Sequence, residues 1–70
     1  MQLVEVTNVT PSLQNEGVLI GDVFEVQPVD GVKSALLLVR KIKGEMNLPY
    51  KKGTRWIDKS MVNEIDETEL

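Results

Sequence analysis

Seventy residues with a formal net charge of −3 make one small domain, and the absence of Cys and His excludes disulfides and any Cys/His zinc centre. A chain this short buries only about 60% of its unfolded surface, so its stability rests on a well-packed core or on a partner subunit. The longest apolar run falls far short of the roughly 20 residues of a membrane helix, and the N-terminal stretch alternates like a strand with no basic leader segment, so a soluble, cytoplasmic domain is expected.

Charge is segregated along the chain. Residues 1–32 carry five acidic side chains and no base, all eight Lys and Arg lie in residues 33–59, and residues 60–70 add four more carboxylates. A compact fold either gathers the basic block onto one surface or interleaves it with the acidic segments, because strands of opposite charge pair favourably across a sheet.

Residues 2–9 alternate, with Val4 and Val6 on one face and Leu3, Glu5 and Thr7 on the other. Val and Thr are β-branched and suit a pleated backbone, so a first strand is expected. It stops at Thr10-Pro11-Ser12, since Pro has no N–H for a ladder. Residues 10–21 read as a connection with turn residues at both ends, and Val18-Leu19-Ile20 is expected to enter the core.

Two strand-like runs follow, 23–29 and 33–42, joined at Asp30-Gly31, a pair typical of a tight hairpin turn. Phe24 and Val26 share one face of the first, and Pro28 marks its outer end as an edge or the start of the turn. Ala35-Leu36-Leu37-Leu38-Val39 is apolar at every position, so both faces of that strand need cover, which suits a strongly bent sheet. The alternative for 33–43 is a helix capped by Asp30 and ended by Gly44, because Ala, Leu, Arg and Lys all favour helix. Residues 44–53 are expected to form a long loop and 54–57 a short strand. Asp58 then caps a single helical or 3-10 turn, with a helix over 58–65 as the alternative. The acidic stretch 66–70 reads as a frayed tail beyond a domain spanning 1–65.

Two stretches carry a family resemblance. Gly21-Asp22-Val23-Phe24-Glu25-Val26 is similar to the G-x-x-[YF]-x-V opening of the second strand in small SH3-like barrels of bacteriophage and prophage accessory proteins. Trp56 to Ile65 resembles the closing strand, one-turn 3-10 helix and final strand of the same domains. The resemblance implies a mainly β, five-stranded SH3-like barrel and a role in modulating a host protein in the host cytoplasm. Val4, Val6, Phe24, Val26, Leu36, Leu38, Trp56 and Ile65 are the expected core.

No enzyme is expected. Nucleophilic catalysis needs a base beside a Ser, Cys or Thr, and Ser12, Ser34 and Ser60 sit in no such motif. Glu64, Asp66, Glu67 and Glu69 lack the order of a calcium loop, and the five glycines form no phosphate-binding fingerprint. No cofactor is implied. The informative stretch is Tyr50-Lys51-Lys52-Gly53-Thr54-Arg55-Trp56, where three cations stand beside two aromatics; Arg40, Lys41 and Lys43 extend it. Arg40, Lys41, Lys43, Tyr50, Lys51, Lys52 and Arg55 are therefore the candidate binding residues. With only three aromatics in the chain, Trp56 is assigned to the core, while Tyr50 is left open between core and surface. The expected function is a protein-interaction module for a host or bacterial protein with an acidic surface. A nucleic-acid binder using 40–56 is the alternative, against which the overall acidity counts. A homodimer would also relieve the small core.

Overall fold

The computed structural model describes residues 2–45 and 55–69. They form strands β1 (Gln2–Val6), β2 (Val23–Val29), β3 (Val32–Lys43), β4 (Arg55–Asp58) and β5 (Val62–Ile65), with a short helix α1 (Pro11–Asn15) and 3-10 turns at Lys59–Met61 and Glu67–Glu69. The strands make one antiparallel sheet in the order β4-β3-β2-β1-β5, curled into a half-barrel. That order, with a single 3-10 turn leading into the last strand, is the expected SH3-like architecture. Neither the helix considered for 33–43 nor the one considered for 58–65 forms.

Thr10-Pro11 stops β1 as expected, and the same residues start α1. Thr10 is extended (φ −86°, ψ 160°), its side chain accepts from the Leu13 N–H, and Pro11 takes the first turn, where a missing N–H costs nothing. Leu13 is thereby turned into the core. Of the Val18-Leu19-Ile20 run only Val18 is fully buried; Ile20 is 64% exposed. Chain direction explains this correction. The segment is stapled to β1 by Gly21 N–H donating to the Val6 carbonyl (2.8 Å) and Val6 N–H donating to the Asp22 carbonyl (2.9 Å), which leaves Ile20 on the outside of the bend.

The β2–β3 hairpin turns at Asp30-Gly31, where Gly31 takes a positive φ of 79°. Pro28 lies beyond the last β1–β2 pair, Gln2 with Val26, so on that side it borders no strand among the described residues. The register then shifts along β3. Val29 faces Val32 but Pro28 faces Leu36; Val26 faces Leu38 but Glu25 faces Arg40; Phe24 faces Lys41 but Val23 faces Lys43. Each shift leaves extra residues on β3, and such bulges bend and twist a strand. They let the long β3 wrap the core and pair with β4 on its far side. They also change which residues face inward: Leu36 and Leu38 point into the core, and after the extra Val39 it is Lys41 that stands opposite Phe24.

The core is Val4, Val6, Leu13, Val18, Phe24, Val26, Leu36, Leu38 and Ile57, with Val9, Met61 and Val62 packed against it. Two of the expected core residues fall elsewhere. Trp56 is 47% exposed and Ile57 takes the inward position, because neighbours on a strand face opposite ways and the β3–β4 register sets Ile57 beside Leu36 and Trp56 beside Leu37. Ile65 is half-buried and pairs with Leu3 on the other face of the sheet. Leu3 itself is buried there, as is Val23, so the outer face is covered on the β1–β2 side. On β3 the outward Ala35 and Leu37 are half-buried, as is Val39.

Candidate interaction surface

Three of the basic side chains, Arg40, Lys41 and Arg55, are folded back onto the acidic first third. Arg40 lies directly across from Glu25, and its Nε donates to that carboxylate at 2.7 Å. Arg55, at the start of β4, reaches the Glu16 carboxylate at the end of α1. Both pairs are partly solvated, the class of ion pair that contributes roughly 0–1 kcal/mol. Lys43 ends β3 opposite Val23 and is exposed. Tyr50, Lys51 and Lys52, with most of the expected 44–53 loop, lie outside the described residues.

Lys41 is of a different kind. Its side chain is 5% exposed and that of its partner Asp22 is 6% exposed, with Nζ 2.8 Å from the Asp22 carboxylate. The ammonium also donates to the backbone carbonyls of Gly17 (2.5 Å) and Glu45 (3.0 Å) and sits 5.5 Å from the centroid of the Phe24 ring. An ammonium has three donors, and three oxygens take them. The same Asp22 carboxylate accepts from the Leu19 N–H at 2.9 Å. This lock joins β3, the β1–β2 connection and the residues after β3, and its charges are spent internally. Lys41 therefore holds the fold together at a position where the sequence suggested a binding residue. Its signal is the apolar surroundings of Arg40-Lys41 in a strand whose inward face a bulge had shifted, which no sequence period displays.

The described surface offers an apolar feature instead. Trp56, on β4 at one end of the sheet among the described residues, stands directly across from Leu37, with Ala35 on the same outward row of β3. Exposed Lys33 and Lys43 lie at the two ends of β3, and the Arg40 side chain is 54% exposed. Sequence reasoning placed Trp56 inside because the chain has only three aromatics to build a core with. The usable signal was adjacency, since Trp56 and Ile57 compete for a single inward position.

Among the described residues no three His, Cys, Asp or Glu side chains are grouped to hold a metal ion, and no helix is long and apolar enough to cross a membrane. Comparison with known proteins finds no matching family model, no similar curated protein and no similar solved structure.

Proposed function

We propose that the protein is a small non-enzymatic interaction module that docks an acidic surface of a host or bacterial protein on the outer β3–β4 face. The observation that carries this reading is the half-exposed Trp56 beside Leu37. Trp is the residue type most enriched among binding anchors, and an apolar centre ringed by charged side chains is the usual anatomy of an interface. Exposed Lys33 and Lys43 supply the complementary charge, which sets encounter rate and specificity more than affinity. The phage-type resemblance of the 21–26 and 56–65 stretches supports a cytoplasmic partner in a bacterial host.

The test is affinity capture from bacterial lysate with the wild-type protein and with Trp56→Ala. The substitution removes an exposed ring, so the melting temperature stays within a few degrees while the partner is lost, with affinity falling about 30-fold or more. Capture of the same protein at equal affinity by Trp56→Ala rejects this face. The exposure of Trp56 also favours the second reading, stacking on single-stranded nucleic acid. That reading requires co-purifying absorbance at 260 nm which high salt removes, and clean protein excludes it.

A further inference from the structure

The outer strands β4 and β5 are not paired with each other among the described residues, and the Lys59–Met61 turn closes only one end of the seam between them. A cleft of about 180 Å³ opens in this seam, lined by Gln2 and Val4 of β1, Leu36 of β3, Lys59 of the turn, and Val62 and Glu64 of β5. Its floor belongs to the core, since Val4 and Leu36 are almost fully buried, while Lys59, Glu64 and Gln2 supply polar groups around it. Small-molecule sites usually enclose about 300 Å³ or more, so a drug-sized ligand or cofactor does not fit. The cleft is of a size to receive the end of one side chain.

Two further features say what carries that side chain. Among the described residues β5 ends the sheet, and the backbone groups on its far side have no strand partner there and can take an added strand. The surface running on from the cleft is acidic: an open depression lined by Glu64, Ile65, Asp66 and Glu67 shares Glu64 with it. Residues 60–70 hold four carboxylates and no base. We propose that the seam is a second binding site, which takes an extended segment of a partner protein. The segment inserts one aliphatic side chain into the cleft, pairs its backbone with β5, and sets basic residues over Glu64, Asp66 and Glu67. Lys59, which also lines the cleft, repels those basic residues. The site lies on the inner face, whereas Trp56 points outward, and it takes the opposite charge, so it stands or falls separately from the β3–β4 surface.

The probe is the blocked peptide Lys-Val-Leu-Val-Lys, titrated into the full chain and followed by methyl and amide NMR. Binding shifts the methyls of Val4, Leu36 and Val62 and the amides of β5. Affinity drops about tenfold when the central Leu of the peptide is changed to Ala, and likewise in Glu64→Gln, an exposed position where the change leaves the fold intact. Trp56→Ala binds the peptide as the wild type does. The proposal is overturned if millimolar peptide causes no shifts, or if the shifts gather around Trp56. Indifference to the Leu change also overturns it, because attraction to the acidic tail would then be the whole effect.

Discussion

At the scale of single residues, Lys41 and Asp58 show two ways in which a charge is used locally. Removing one member of a buried ion pair leaves the other uncompensated, at a cost of about 3–5 kcal/mol. A domain of this length has in all roughly 4–10 kcal/mol of stability. Lys41→Met is therefore expected to unfold much of the population, while adding Asp22→Asn recovers more than half of the loss, as read by urea denaturation. A single-variant loss below about 1 kcal/mol would show the ammonium to be solvated. Asp58 is fully exposed, and its carboxylate accepts from the Ser60 N–H at 2.9 Å to cap the 3-10 turn. That backbone bond first, and then the Ser60 side chain, hold its pKa below the ordinary 3.8. A depressed carboxyl pKa contributes stability that is present above the unfolded value and is lost as pH falls through the folded one. The advantage of wild type over Asp58→Ala in melting temperature is accordingly constant near neutrality and shrinks in acid below about pH 4. An advantage unchanged down to pH 2 would remove the cap from the account.

Among the elements, the β2–β3 hairpin depends on two glycines for different reasons. Gly31 has a positive φ of 79° and open space where a Cβ would go, so Gly31→Ala meets only backbone strain of about 1–2 kcal/mol. Gly44, at φ 134°, would place a Cβ 2.1 Å from Oδ1 of Asp22, whose carboxylate is already held by Lys41 and Leu19. The carboxylate cannot yield without opening the lock. Gly44→Ala is therefore expected to lower the melting temperature well beyond Gly31→Ala, and equal losses would show that the carboxylate swings aside freely. The Asp30-Gly31 turn and the strand before it were legible, because turn chemistry and alternation are local, while the unbroken apolar run after it also allowed a helix. The bulges of β3 were not legible, since they answer to the need of one strand to pair with β2 and β4 around a bend.

For the whole molecule, the question raised by the unbroken apolar run of β3 was whether both faces are covered. Leu38 is fully buried, whereas Leu37 is half-buried beside Trp56. Leu38→Asp is expected to abolish the fold, since an unpaired charge in the core has no compensation. Leu37→Asp keeps the β-type circular dichroism of the wild type and loses only about 1–2 kcal/mol. Complete unfolding of Leu37→Asp would mean that the outer face is as closed as the inner one. The charge pattern resolves at this scale too: Glu16–Arg55, Asp22–Lys41 and Glu25–Arg40 each join the acidic first third to the basic middle. Glu25–Arg40 does so across paired strands, while the other two acids reach their cations from α1 and the β1–β2 connection.

The sequence by itself determined the β class, the hairpin, the cap at Asp58 and most of the core, from Val4 and Val6 to Leu36 and Leu38. Val4 and Val6 follow from period-two alternation and the turn and cap from residues adjacent in the chain, whereas Leu36 and Leu38 sit in an unbroken apolar run that also allowed a helix. The start of α1 was legible in the same local terms, in Thr10-Pro11, though the pair was read only as a stop. Tertiary structure alone decided that Ile57 rather than Trp56 faces inward, that Lys41 is buried, and which carboxylates Arg40, Lys41 and Arg55 meet. All three depend on register between strands far apart in sequence, and a shift of one residue in register exchanges the two faces of a strand.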